Sequence, residues 1–282
     1  MNLLTITEDR SLGEKFEEYF EEVHTCSIED VKIDADMEGV SSYVNGGRVD
    51  DYDALFIRPT SKAITFTRIF LESIMECEIK SVIDGTSYYI IAKKPYLFKV
   101  LSEKGVPVPK TFVVSSDKSI ANIHHKIDGD IVCKKFEGFS RKDIMKTDDH
   151  EDIKAFSESL KHGKNYMLVQ KFVDGDVYDC LYIDGDIIST KVTGDSWRKS
   201  PNRDGCSEKY HKTPSEIAGI VEGAAEAIGS KFCSVRIVGN KVVDMHMNPD
   251  VERFRKVSGK NAFEKISNML KPEEENKNGG EK

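Results

Sequence analysis

The sequence lacks the features that would place the chain in a membrane or in an oxidising compartment. Its longest apolar runs fall short of the roughly 18 residues that a transmembrane helix requires. The N-terminal segment has no charged stretch followed by an apolar one, as a secretion signal would. The six cysteines form no Cys-x-x-Cys pair and lie mostly in apolar runs, a pattern typical of reduced, buried thiols. We therefore expect a cytoplasmic protein that makes no contact with a membrane.

An excess of positive charge is also lacking. The chain carries 41 Lys and Arg against 49 Asp and Glu, a formal net charge of -8. Nucleic-acid binding is not expected, because it depends on neutralising phosphates. The charge is unevenly distributed: residues 1–60 hold 15 acidic and 5 basic side chains, whereas the remainder has a small basic excess. That remainder can still form a local anion site.

The composition is that of a globular protein. With 282 residues, 39% of them hydrophobic and 32% charged, the chain has room for two domains, or for one with a sizeable insertion. The segment after the first strand-like run reads TEDRSLG and contains no Gly-x-Gly-x-x-Gly phosphate loop. Dinucleotide binding at that point is therefore not expected.

The first part of the chain alternates between strand and helix patterns. The apolar runs NLLTIT, DALFIRP and KSVIDG predict buried strands. The segments LGEKFEEYFEEV, with Ser11 as its capping residue, and TRIFLESIMECE predict helices. Residues 1–88 should therefore form a small α/β layer.

The remainder is a mixture of helices and hairpins. Helices are expected in AKKPYLFKVLSEKG, in HEDIKAFSESLK, in TPSEIAGIVEGAAEAIG with Thr213 as cap, and in NAFEKISNMLK. Strands are expected in DIVCKKF, DIMKT and NYMLVQKFV. Asp184-Gly185 and Gly239-Asn240 predict the turns of two β-hairpins. The last residues contain no apolar side chain and should be disordered.

The order of these elements, together with seven short strings, resembles the ATP-grasp superfamily and in particular its RimK-like amino-acid ligases. The resemblance runs from about Tyr52 to Lys271 and is carried by YDALFIRP, KVLSEKGVPVPKTFVV, DIVCKKFEG, LVQKFV, LYIDGDIIS, SWRKSPNRDG and VVDMHMNPDVERF with VSGKNAFEKI. It implies an ATP-grasp fold of mixed α/β and α+β class behind an N-terminal Rossmann-like (pre-ATP-grasp) domain. The implied boundaries are 1–88 for that domain, 89–173 for the central subdomain with its phosphate loop, 174–271 for the C-terminal subdomain and 272–282 for a disordered tail.

The resemblance also implies a site. ATP would be held between the two subdomains, activate a carboxylate as an acyl phosphate, and so allow the carboxylate to be coupled to an amine. Lys94 and Lys134 match two lysines that neutralise phosphates, and strand alternation puts Lys134 and Lys135 on opposite faces, so that one of them can enter the cleft. Arg198 matches an arginine near the acyl phosphate, as the catalytic candidate. The other ATP-binding candidates are Ser140, Gln170, Lys171, Phe172, Val173 and Met245.

The magnesium site departs from the family pattern. Relatives hold the ions with an aspartate, a glutamate and an asparagine, and the matching positions here are Arg236, His246 and Asn248. Hard oxygen ligands suit Mg²⁺, whereas a fixed cation repels it. Asn248 and Asp244, on the same strand face, are therefore the expected metal ligands, and Arg236 and His246 are not. Relatives often carry an arginine on the first hairpin, where this chain has Asp179.

Three functions remain open from the sequence. The first is an ATP- and magnesium-dependent ligase that joins a small-molecule or peptide carboxylate to an amine. The second is a catalytically impaired descendant that binds a nucleotide or another anion as a sensor or partner subunit. The third is a small-molecule kinase on the same scaffold. Arg58 and Thr60 are candidates for the acceptor site in the first case.

Overall fold

The structure of the chain is a computed structural model that describes residues 1–37, 39–60, 63–75, 77–114, 123, 126–135, 144–158, 167–201 and 203–272. The predicted tail 272–282, apart from residue 272, and the loop that contains Ser140 lie outside the described residues. In the described segments no helix is both long and apolar enough to cross a lipid bilayer.

The N-terminal region is built on a parallel sheet. Buried apolar strands form its centre, in the spatial order β2-β1-β6-β7. A separate antiparallel sheet, β3-β4-β5, follows β2 along the chain. The elements are β1 (Asn2–Ile6), α1 (Ser11–Glu14), β2 (Glu22–Cys26), β3 (Val31–Asp36), β4 (Gly39–Val44), β5 (Gly47–Arg48), β6 (Ala54–Ile57), α2 (Ile64–Ser73), β7 (Lys80–Ser81) and α3 (Gly85–Ala92).

The central region is a smaller antiparallel sheet in the order β10-β9-β11-β8. Inward-facing residues of its strands, such as Cys133 and Val169, form a core of their own with Ile153 of the adjacent helix. The elements are α4 (Lys94–Glu103), β8 (Thr111–Val114), β9 (Ile131–Lys135), β10 (Ile144–Thr147), α5 (His150–Glu158) and β11 (Met167–Lys171).

The C-terminal region is a five-stranded antiparallel sheet in the order β14-β13-β12-β15-β16. Its two hairpins turn at Asp184-Gly185 and Gly239-Asn240, where all four residues have positive φ, as predicted. The elements are β12 (Val177–Ile183), β13 (Asp186–Gly194), β14 (Cys206–Tyr210), α6 (Ser215–Ile228), β15 (Phe232–Val238), β16 (Lys241–His246), α7 (Val251–Ser258) and α8 (Ala262–Leu270).

The main hydrophobic core joins the N-terminal and C-terminal regions. Phe16 and Phe56 have ring centroids 4.8 Å apart, and Phe16 lies 5.4 Å from Phe263 in an edge-to-face contact. Phe56 in turn lies 6.1 Å from Phe232 of β15. Because the central sheet has a separate core, a cleft is left between it and the rest of the molecule.

No disulfide links the six cysteines, all of which lie in described segments, and four of them are buried. Burial raises the pKa of the buried thiols to about 12, so that their reactive thiolate form is scarce. The interpretation of these residues as buried, reduced thiols is therefore confirmed for the four.

Three local predictions are wrong. The helix expected in LGEKFEEYFEEV ends at Glu14, because Val23 is needed in β2 as the parallel partner of Leu3. Ser11 is not the cap but the first residue of α1, and its hydroxyl donates to Asp9. Thr213 does not cap α6 either, since its hydroxyl pairs with that of Ser189. Strands β2 to β5 and β14, and helices α3 and α7, were not predicted.

Candidate functional site

The cleft is bounded on one side by the central sheet. Val132 and Lys134 of β9 line it together with their cross-strand partners Gln170 and Leu168 of β11. Period-two alternation sends the intervening Cys133 into the core on the other face. Lys134 is therefore the cleft residue of the Lys134–Lys135 pair; the side chain of Lys135 lies outside the described residues.

The opposite side of the cleft is the edge of the C-terminal sheet. Strand β16 is the last strand of that sheet, and a bulge beside Arg236 omits Val243 from the ladder. Lys134 Nζ donates a 3.0 Å hydrogen bond to the Val243 carbonyl, and Lys94 Nζ donates to the Met245 carbonyl. Two lysines from elsewhere in the fold thus satisfy carbonyls along an open strand edge.

Lys134 lies among charges that are mostly of its own sign. Burial is the main reason why its pKa falls from the ordinary 10.5 to about 8. Among its neighbours Asp244 raises this pKa, whereas three cations lower it: Lys94, Arg236 and Arg198. The cleft at this point favours an anion.

Asp244 is fully engaged by its neighbours. Its Oδ1 lies 2.8 Å from Lys94 Nζ and accepts from the Met245 amide at 2.9 Å, and its Oδ2 lies 3.1 Å from His246 Nε2. Although burial opposes ionisation, His246 and Lys94 hold the pKa of Asp244 well below its ordinary value. The carboxylate is therefore ionised and has partners on both oxygens.

A second charged cluster lies next to the cleft in the C-terminal sheet. Asp179 and Arg236 are cross-strand partners, and the guanidinium donates to the two carboxylate oxygens at 2.6 and 2.8 Å. Arg253 of α7 lies 3.5 Å from the same carboxylate and donates to Glu208, which also accepts from Thr190 at 2.5 Å. Burial opposes ionisation here too, but Arg236 lowers the pKa of Asp179. The pairing of Asp179 with Arg236, and the participation of Arg253 and Glu208, were not predicted from the sequence.

The linker strand forms one wall of the cleft. Lys171, Phe172 and Val173 all line it, and their contact with the adenine stays a prediction. However, the Lys171 amide donates to the Lys110 carbonyl and the Phe172 amide to the Asp130 carbonyl, each at 2.9 Å. These two amides are thus engaged within the protein, and any backbone donor to a base edge must lie elsewhere in the segment.

The remaining candidates are placed as follows. Arg198 lines the cleft, next to Trp197, whose ring meets Phe172 edge to face at 6.4 Å. Met245 lies on the opposite face of β16 from Asp244, with its side chain fully buried in the main core. Its carbonyl accepts a hydrogen bond from Lys94 Nζ, and its expected contact with ATP stays a prediction.

A second cavity adjoins the cleft and shares Arg236 and His246 with it. It is closed on the far side by residues of the N-terminal region, among them Arg58 and Thr60. Arg58 Nε donates to Asn248 Oδ1 at 2.5 Å, and the Asn248 amide donates to the Pro59 carbonyl at 3.1 Å. Asn248 thus ties the C-terminal sheet to the loop after β6.

Comparison with solved structures defines the architecture. The chain superposes on the ATP-grasp ligase PsnB, in complex with a minimal precursor, with a TM-score of 0.73 and 15% sequence identity, over 95% of this chain and 97% of PsnB. A RimK-domain ATP-grasp protein from Sphaerobacter thermophilus gives a TM-score of 0.70 at 15% identity, over 96% and 99% of the two chains. The chain has the ATP-grasp fold. The fold class inferred from the sequence strings is therefore confirmed.

Sequence comparison agrees with the RimK-like resemblance. A probable alpha-L-glutamate ligase from Legionella pneumophila is 24% identical over 179 residues, which are 60% of this chain and 59% of the relative. The match thus spans about three fifths of the length of that relative. No protein-family model matches the chain.

The structural neighbour PsnB has been solved in a complex with Mg and ADP. The residues at the corresponding place in this chain do not fit the ion. Arg236 stands at one expected ligand position, Asp244 is paired with two cationic or titratable side chains, and Asn248 is bonded to Arg58. Among the residues that the structure describes, no group of three or more His, Cys, Asp or Glu side chains could hold a metal ion.

Proposed function

We propose that this ATP-grasp chain is an ATP-dependent carboxylate–amine ligase that acts through an acyl phosphate. The observation that carries the proposal is the convergence of Lys94, Lys134 and Arg198 on one cleft between two antiparallel sheets. Three cationic side chains in a partly buried site match the charge of a polyphosphate near neutral pH. The similarity to amino-acid ligases in sequence and fold supports the same chemistry.

The reaction has two steps. A carboxylate oxygen of the first substrate attacks the γ-phosphorus of ATP, and the bond from that phosphorus to ADP breaks. The amine nitrogen of the second substrate then attacks the acyl carbon, inorganic phosphate leaves, and the nitrogen loses a proton. The residues contribute by positioning and by neutralising charge: Lys94 and Lys134 at the transferring phosphates, and Arg198 at the acyl phosphate.

The second cavity is where we place the carboxylate substrate. Arg58 lines it, and a guanidinium group recognises a carboxylate through paired hydrogen bonds. It meets the cleft at Arg236, so that a carboxylate held there would face the phosphate end of a nucleotide. The carboxylate substrate is an amino acid, a small carboxylate or a peptide, and cytoplasmic ATP is the phosphoryl donor.

The test is ADP release measured over panels of amino acids, small carboxylates and amines. A ligase releases ADP when a carboxylate and an amine are present together, and Lys134→Met should reduce that rate strongly. Lys99→Met is the matched control, because Lys99 lies on the exposed face of α4 and pairs with Glu103. ADP release with a phosphorylated product and no need for an amine would instead identify a kinase.

One observation favours a second candidate, a protein that binds a nucleotide or another anion without turnover. The carboxylates beside the cleft are neutralised by cations of the protein itself, as in the Asp179–Arg236 pair. Nucleotide binding with no ADP release for any substrate combination would support this candidate against the ligase.

A further inference from the structure

The ionised carboxylates at the junction of the two cavities are already paired. Asp179 accepts two hydrogen bonds from Arg236, at 2.6 and 2.8 Å, and has Arg253 at 3.5 Å. Its side chain is 7% exposed, so water contributes little to its solvation. Removing one partner from a buried ion pair is costly, so a metal ion could recruit this carboxylate only by leaving Arg236 without its hydrogen-bonded counter-ion.

The other carboxylate of the junction is equally committed. Asp244 has Lys94 at 2.8 Å on one oxygen and His246 at 3.1 Å on the other. Lys134 is close enough for Asp244 to raise its pKa. A divalent ion placed here would lie beside at least two ammonium groups, which repel it.

The same groups suit a polyphosphate without a metal. Lys94, Lys134, Arg198 and Arg236 all line the cleft, and each bears a positive charge that a phosphate oxygen can meet directly. From this we infer that the cleft binds a nucleoside di- or triphosphate as the metal-free anion, with protein cations in the place that magnesium would take. The inference rests on the nucleotide binding of the proposed function and applies to the ligase and to the binding protein alike.

The Asp179–Arg236 pair gives the inference a sharp form. The resemblance to RimK-like ligases implies an arginine at 179 and a carboxylate at 236, and the structure shows that these positions are cross-strand partners. This chain therefore carries the pair with its polarity reversed. The reversal preserves the salt bridge but turns a cation, rather than a carboxylate, toward both cavities, which Arg236 lines.

The first test uses the unmodified protein. ADP and ATP are titrated calorimetrically in EDTA and in millimolar MgCl₂. The affinity in EDTA should equal or exceed that in magnesium, because the ion removes charge from the polyphosphate that the cations would otherwise meet. Binding that is tenfold or more tighter in magnesium overturns the inference and leaves the proposed function intact. Absence of binding in both buffers removes the proposed function, and the inference with it.

The second test restores the implied polarity. The double variant Asp179→Arg with Arg236→Asp should bind ADP more tightly in magnesium than in EDTA, by about tenfold, if the reversal is what excludes the ion. Lys99→Glu with Glu103→Lys reverses an exposed pair on α4 and should leave the ratio unchanged. Circular dichroism establishes that both variants are folded. A folded double variant with the unmodified protein's ratio would show that the pair does not decide metal use; if it fails to fold, the titrations of the unmodified protein decide alone.

Discussion

Lys134 should take up a proton when a nucleotide binds at alkaline pH. Its pKa of about 8 lies well below the ordinary 10.5, mainly because the side chain is buried. At pH 9 only about one tenth of the molecules carry the charge, whereas at pH 7 about nine tenths do. Polyphosphate oxygens favour the charged form, and a bound nucleotide should therefore return the pKa toward its ordinary value.

The expected uptake is about 0.8 to 0.9 proton per nucleotide at pH 9 and about 0.1 at pH 7. It is measured by titrating ADP in pairs of buffers with different ionisation enthalpies. The difference in binding heat between the two buffers is proportional to the number of protons taken up. Lys134→Met should bind more weakly and show no such uptake. An uptake at pH 9 that persists in Lys134→Met would assign the proton to another group and refute the reasoning.

The same lysine affects folding in a way that does not depend on any ligand. Between pH 8 and 10.5 the unfolded chain binds more protons at Lys134 than the folded chain does. The contribution of this residue to the free energy of unfolding therefore rises with pH across that window, by up to about 3 kcal/mol. Buried tyrosines act in the opposite direction, since burial raises the pKa of Tyr88 to about 12. The quantity to compare is accordingly the difference between the unmodified protein and Lys134→Met in urea unfolding at pH 7 and pH 10.

Four further substitutions test the packing, each by urea unfolding at neutral pH. Asp179→Asn leaves Arg236 without its hydrogen-bonded counter-ion, whereas Arg253 keeps Glu208, and should cost about 3 to 5 kcal/mol; a loss below 1 kcal/mol would mean that the cluster is solvated. Phe16→Ala opens the aromatic core that joins the N- and C-terminal regions and should cost about 3 to 5 kcal/mol, with loss of a single transition if the regions separate. Gly239→Ala should destabilise by about 1 to 3 kcal/mol, because φ is +48° and an added Cβ would lie 2.4 Å from a backbone oxygen. Gly219→Ala, in the open interior of α6, should instead stabilise by about 0.5 to 1 kcal/mol, and equal effects of the two substitutions would contradict the geometry.

The parts of the fold that could be predicted are those whose signal is local. The Asp184-Gly185 and Gly239-Asn240 turns require positive φ, and both consist of residue types that adopt positive φ readily, so two residues are enough to predict each turn. The helix expected after Ser11 could not be predicted correctly from local signals. Its apolar spacing is helical, but the end of the segment pairs with β1 as part of strand β2. Edge pairing of this kind is a tertiary effect, and it overrides local propensity.

The residues of the site also fall into those that a local pattern predicts and those that only tertiary pairing brings together. Strand alternation predicted that one of Lys134 and Lys135 enters the cleft, and it put Asp244 and His246 on one face of β16. The choice of Lys134 came from the family resemblance. The cluster of Asp179, Arg236, Arg253 and Glu208 was not predictable, since its members come from β12, β15, α7 and β14 and meet through the sheet register. In the sequence, Asp179 and Arg236 are two separate departures from the family pattern, and only the strand register shows that they are partners.

The two cleft lysines have to hold the fold together and meet a ligand with the same ammonium groups. Lys94 already donates to a carbonyl and pairs with Asp244, and Lys134 donates to the Val243 carbonyl. An ammonium has three protons, which leaves one on Lys94 and two on Lys134 for phosphate oxygens without releasing the edge of β16. Arginine would keep the charge, but its planar fork cannot point separately at a strand carbonyl and across the cleft. Lys94→Arg and Lys134→Arg should therefore weaken nucleotide binding even though no charge is lost, and a calorimetric affinity equal to that of the unmodified protein would show that charge alone is what the cleft requires.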